Sequence, residues 1–180
     1  MKQNKIVITG GPGTGKSTLI EALQKMAFTC MPEISRTITK QAQESGIDQL
    51  FLKDPLLFSK LLLEGRIDQY KEAEKHQVNK VFFDRGIPDI HAYMEYSGTQ
   101  YPNDYIEKSM EHRYAKIFMM PPWKAIYKTD NERYESFDQS ELIYEHLVKA
   151  YKDIDYDIVI VPEGSVKSRV AFLLKHTESL

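Results

Sequence analysis

The stretch Gly10-Gly11-Pro12-Gly13-Thr14-Gly15-Lys16-Ser17-Thr18 constrains this 180-residue chain more than any other. It lies between the short apolar run Ile6-Val7-Ile8-Thr9 and the helix-forming Leu19-Ile20-Glu21-Ala22-Leu23. Gly10 to Ser17 fits the phosphate-loop spacing of Gly, four residues, then Gly-Lys-Ser/Thr. Glycines let the backbone turn tightly and bring amide N–H groups against phosphate oxygens. A helix starting near Lys16 adds unpaired N–H groups and the positive end of its dipole. Lys16 supplies a cation for the β and γ phosphates, and the Ser17 hydroxyl is placed to ligate Mg²⁺. A bound nucleoside triphosphate is the first expectation.

A strand that feeds a helix through such a loop begins an α/β sheet, and the remaining sequence continues in that way. Strands are predicted over Lys5–Thr9, Phe28–Met31, Lys80–Asp84, Ala115–Met120 and Asp157–Val161. Helices are predicted from Lys16 to Met26, from Glu33 to about Ser45, from Asp54-Pro55 to about His76, over Asp89–Tyr96, and from Asn103 to about His112. A further helix should open on a capping box at Asp138-Gln139-Ser140-Glu141 and run to about Lys152. A final helix follows Pro162-Glu163-Gly164-Ser165, with a frayed tail from His176. The whole chain reads as one domain: a parallel sheet with helices on both faces, and a lid-like polar segment at about 128–137.

Ligands of such sheets bind outside the carboxyl ends of the strands. Glu33, Asp84-Arg85, the segment after Pro121 and the loop at Gly164 all fall there. Asp84 closes an apolar strand, so its carboxylate is suited to hold Mg²⁺ or to accept a substrate proton. Glu33 is placed to orient or deprotonate an acceptor hydroxyl, and Arg36 to bind acceptor charge. Arg133 lies in the polar segment, where a lid arginine would stabilise a transferring phosphoryl group. On the helix after Pro55, Leu57, Leu61, Leu62 and Tyr70 form the expected apolar face, while Glu64 and Arg66 read as a solvated face. The five histidines show no metal-ligand spacing and read as surface or core residues, and Trp123 reads as a packing residue.

These motifs together resemble a known group. The phosphate loop, Pro32-Glu33-Ile34-Ser35-Arg36, Val81-Phe82-Phe83-Asp84-Arg85-Gly86 and Asp130-Asn131-Glu132-Arg133 are similar to those of small P-loop ATPases described as AAA-type. That group is related to nicotinamide riboside kinase domains and, more distantly, to thymidylate and deoxynucleoside kinases. The resemblance implies a three-layer fold with a five-stranded parallel sheet and the phosphate-loop strand in its middle. It implies ATP and Mg²⁺ on Gly10 to Thr18, Asp84 and Arg85 facing an acceptor, Arg133 as a lid arginine, and adenine near Gly164-Ser165.

The expected activity is Mg²⁺-dependent transfer of the γ-phosphoryl of ATP to a small nucleoside- or nucleotide-like acceptor. The alternative is an ATPase or nucleotide-dependent switch without such an acceptor. Asn79-Lys80-Val81-Phe82 lacks the aspartate of a guanine-reading motif, and the Leu-Ser-Gly-Gly signature of transport ATPases is missing from the sequence. A net charge of −2 offers no basic surface for nucleic acid. One cysteine, Cys30, and no apolar run of membrane-spanning length fit a cytoplasmic protein.

Overall fold

Alternating side chains along three central strands send apolar groups to both faces of one sheet, and helices cover both. The computed structural model describes residues 3–127 and 135–180. Strands β1 (Asn4–Gly10), β2 (Thr29–Met31), β3 (Lys80–Asp84), β4 (Lys116–Met120) and β5 (Ile158–Ile160) form one sheet. Their order is β2-β3-β1-β4-β5, and every neighbouring pair is parallel. The helices are α1 (Lys16–Lys25), α2 (Ser35–Glu44), α3 (Leu50–Lys53), α4 (Pro55–Glu72), α5 (Pro88–Tyr96), α6 (Asp104–Glu111), α7 (Phe137–Lys152) and α8 (Val166–Lys175).

On one face Ile6, Ile8, Phe82, Phe118 and Met120 pack with Leu19 and Leu23 of α1 and Val170 and Leu173 of α8. On the other, Val7, Phe83, Ile117 and Met119 pack with Leu62 and Leu63 of α4, Ile90 of α5 and Leu147 and Tyr151 of α7. Each such side chain taken fully out of water contributes roughly 1.5–3 kcal/mol. Strand order reverses at β1, between β3 and β4, and ligands of open α/β sheets bind at this kind of switch point. The phosphate loop leaves β1 there.

The expected elements are present, with several corrections. The short helix α3 is additional to the expected elements. Helix α2 begins at Ser35 rather than Glu33, because the Glu33 side chain stands outside the helix and accepts the Ser35 N–H at 3.0 Å. Asp54 caps α4 as expected, accepting the Leu57 N–H at 2.9 Å, with Pro55 in the first turn. The buried face of α4, however, is Ser59, Leu62, Leu63 and Arg66, whereas Leu57 and Leu61 are exposed. The capping box of α7 is Ser136 with Gln139, two residues earlier than the sequence pattern placed it. The C-terminal tail is docked rather than frayed. Thr177 is fully buried, its carbonyl accepts from Lys80 Nζ, and Asn79 donates to the Leu180 carbonyl at 3.2 Å.

Candidate active site

Backbone conformation builds the phosphate loop, and side chains from distant elements hold it. Gly13 and Gly15 have φ of +74° and +80°, which residues with a β-carbon rarely adopt. A β-carbon on Gly13 would also lie 2.5 Å from the Tyr127 ring, which covers the loop there. Thr14 Oγ1 donates to the Gly11 carbonyl at 3.0 Å, and Ser140 Oγ of α7 to the Pro12 carbonyl at 3.0 Å. Both terminal nitrogens of Arg169, on α8, donate to the Thr14 carbonyl at 3.2 Å. The Trp123 ring lies 5.9 Å from that guanidinium.

Helix α1 has Gly15 at its N-cap position, so it carries no side-chain cap, and no acid lies in its first turn. Its first N–H groups are thus left for an anion. Helix α8 differs: Ser165 Oγ accepts the Ser168 N–H at 3.1 Å. Ser17 and Thr18 are exposed at the start of α1, and Lys16 is half-buried.

A cluster of ionised groups adjoins the loop along the same sheet edge. Arg85 follows β3 with φ of +74°, and its Nε lies 2.5 Å from Glu33 Oε2. Arg85 Nη1 donates to Asp89 Oδ1 at 3.1 Å and to the Gly10 carbonyl at 3.2 Å. Asp89 is fully buried and also accepts from Thr9 Oγ1 at 2.5 Å, Tyr151 OH at 2.6 Å and the Gly86 N–H at 3.0 Å. Arg66 of α4 is buried, with Nη1 donating to the Gly86 carbonyl at 2.5 Å and Nη2 3.4 Å from Glu33 Oε1.

The charges perturb one another. Burial, reinforced by the Arg85 cation, lowers the Lys16 ammonium to about 8, against the pull of Asp84, Glu33 and Asp89. Burial would raise the Glu33 carboxyl, but Arg66 and Arg85 outweigh it and, with the Ser35 N–H, bring it down to about 2. Burial raises the Asp84 carboxyl despite Lys16 and Arg85. Asp84 Oδ1 is buried without a hydrogen-bond partner among the described residues.

Lys16, Glu33, Asp84 and Arg85 are thus brought close enough to act on one another's ionisation. Arg36 is exposed in the first turn of α2 and engaged in contacts of its own. Gly164 and Ser165 open α8, the helix that brings Arg169 to the loop. Arg133 and most of the lid-like segment, 128–134, lie outside the described residues.

Arg66 overturns the solvated-face reading: its guanidinium points inward and pairs with Glu33. Asp89, Tyr151 and Arg169 also belong to the site, and no local sequence pattern marks them. For Arg66 a signal existed, since Ser59, Leu62, Leu63 and Arg66 follow the i, i+3, i+4, i+7 spacing of one helix face.

The fold is shared with solved enzymes of low sequence identity. Deoxyadenosine kinase from M. mycoides is 18% identical with a TM-score of 0.69, over 98% of this chain and 100% of that one. NadR protein, in a complex with NR, is 14% identical with a TM-score of 0.71, over 98% of this chain and 50% of that one. Thymidylate kinase from Candida albicans is 16% identical with a TM-score of 0.67, over 99% of this chain and 92% of that one. These likenesses establish the P-loop nucleoside-kinase fold that the motifs predict. Comparison with curated protein sequences gives no match. The family model described as an AAA domain matches residues 5–169, and the chain belongs to that family.

Proposed function

We propose that the chain is a phosphotransferase that moves the γ-phosphoryl of Mg²⁺-bound ATP to a small nucleoside- or nucleotide-like acceptor, within one domain and in the cytoplasm. The observation that carries this reading is the Glu33–Arg85–Asp89 cluster beside a phosphate loop whose helix has no cap of its own. A nucleotide-binding module has no need of a second charged cluster at the same edge.

In this reading amides of Gly10 to Thr18 and the start of α1 bind the ATP phosphates. Lys16 follows the developing charge, and Arg85 and Glu33 orient the acceptor with Arg36 at the margin. Glu33 orients the attacking hydroxyl as an ionised carboxylate, which Arg66 and Arg85 hold well below the usual carboxylate range. Gly164 and Ser165 are assigned to the adenine side, and Arg133 to closure over the phosphates. Ser17 and Asp84 would hold Mg²⁺: the unpartnered, buried Asp84 Oδ1 is a hard anionic donor of the kind that ion or its water takes. Mg²⁺ bound there would neutralise charge on the β- and γ-phosphates.

The test is ADP formation from Mg²⁺-ATP with and without nucleosides, nucleotides and vitamins. Turnover should depend on an acceptor and yield a phosphorylated product. Lys16→Ala should lower it by about 10²–10³-fold while the protein stays folded. Acceptor-independent turnover would favour an ATPase, and unchanged turnover in the Lys16 variant would remove the phosphate-loop assignment.

A further inference from the structure

Three carbonyls of the phosphate loop are each drawn to a side chain from a different part of the fold. Arg85 Nη1 donates to the Gly10 carbonyl at 3.2 Å, Ser140 Oγ of α7 to that of Pro12 at 3.0 Å, and both terminal nitrogens of Arg169 of α8 to that of Thr14 at 3.2 Å. In a planar trans peptide the carbonyl and the following N–H point in opposite directions, and the described residues hold no cis peptide. The N–H groups of Gly11, Gly13 and Gly15 are therefore turned away from those three donors. Gly13 and Gly15 are left-handed and Thr14 between them is not, the alternation that makes neighbouring N–H groups converge on an anion. Neither the Gly13 nor the Gly15 N–H has an acceptor among the described residues.

Of these three donors, Arg169 is the one whose charge is unanswered. Ser140 is neutral, and Arg85 is paired with Glu33 and Asp89. Arg169 is 5% exposed, makes no ion pair with a carboxylate among the described residues, and has its Nε buried without a hydrogen-bond partner there. Arg66 is equally buried but has Glu33. Burial lowers the Arg169 pKa against the pull of Glu163, which is exposed, and an arginine stays protonated all the same. A buried cation with no counter-charge is costly. A β-carbon on Gly15 would lie 3.1 Å from Arg169 Nη1, so the guanidinium packs directly against that residue.

Given the phosphotransfer reading above, we propose that Arg169 is a positioning residue for the triphosphate, acting through the Thr14–Gly15 peptide. Its fork fixes the Thr14 carbonyl and so aims the Gly15 N–H at a phosphate oxygen. The hydrogen bonds to that carbonyl also polarise the peptide and make its N–H a stronger donor. The phosphates in turn supply the negative charge that the guanidinium lacks. Arg169 and the ligand stay on opposite sides of the peptide, without contact.

The test uses the full chain with Mg²⁺, as the parent, Arg169→Gln and Arg169→Lys. Calorimetric titration gives affinities for a non-hydrolysable ATP analogue and for inorganic tripolyphosphate, which has neither base nor sugar. Melting curves are taken without ligand. Arg169→Gln should bind both anions about tenfold or more weakly than the parent, with an unliganded melting temperature at most a few degrees lower. Arg169→Lys keeps the charge but not the fork, and should lie between, a few-fold weaker than the parent. A scaffolding role predicts the reverse, a large fall in unliganded melting temperature with parent-like affinity in the folded fraction. That result would overturn the inference and leave the kinase reading standing. Arg169→Lys as weak as Arg169→Gln would also overturn it, since the charge would then count for nothing. Should Arg169→Gln fail to fold, Arg169→Lys decides by itself, and parent-like affinity there would overturn the aiming role. A parent that binds neither anion would remove both the inference and the kinase reading.

Discussion

The phosphate loop and the Glu33 cluster sit side by side on one sheet edge but are built from different material. The loop is backbone: consecutive residues from Gly10 to Thr18, with left-handed glycines and a helix end bare of side-chain caps. The cluster is side chain: Glu33 before α2, Arg66 on α4, Arg85 after β3, Asp89 on α5 and Tyr151 on α7. A backbone site needs only a local sequence to form its geometry. A side-chain site needs the whole sheet to close before its charges find one another, and each buried charge must be answered by a partner.

That contrast predicts where damage spreads. The largest effect should come from Arg66→Ala, which leaves Glu33 without one of its two cations in a buried setting. About 3 kcal/mol of stability should be lost, seen as a melting temperature lower by on the order of 10 °C. Affinity for a non-hydrolysable ATP analogue should survive in the folded fraction. A parallel collapse of analogue affinity would mean that the two halves are not separable.

Next in size is a pH effect that differs between the halves. His91, on α5 two residues beyond Asp89, is buried against Ser109 with its Nε2 2.9 Å from that hydroxyl, and burial lowers its pKa to about 4. The folded state therefore favours the neutral ring. Its stabilisation is complete above the unfolded value near ~6.5 and falls away as pH drops from there towards about 4, by on the order of 3 kcal/mol. Denaturant melts at pH 7 and pH 4.5 should show this loss in the parent and a smaller one in His91→Gln. Equal losses would rule out His91 as the source.

The smallest effect separates two helix starts. Ser165→Ala removes the cap of α8 and should cost about 1 kcal/mol. Nucleotide affinity should change little, since the hydroxyl is occupied by the Ser168 N–H. A large fall in affinity would instead make Ser165 a direct nucleotide contact.

Much of this was legible in the sequence because it is local. The loop, the apolar strand ending on Asp84-Arg85 and the Asp54-Pro55 helix start each occupy consecutive residues. Ser136-x-x-Gln139 and Asp138-x-x-Glu141 both satisfy the spacing of a capping box, and only the folded chain chooses the first. A charge on a helix suggests solvent, whereas the partner that draws Arg66 inward, Glu33, lies 33 residues away. Asp89 looked like an ordinary first-turn acid of α5. Its four partners come from three separate parts of the chain, which local pattern does not reveal.

Helix α7 touches both sites. Near its start Ser140 grips the phosphate loop through the Pro12 carbonyl, and near its end Tyr151 grips Asp89. The eleven residue steps from Ser140 to Tyr151 span about 16 Å at the rise of an α-helix. An α-helix is stiff over that length, so α7 works as a fixed gauge bar. It sets the spacing between the place where a phosphoryl group would leave and the place where it would arrive.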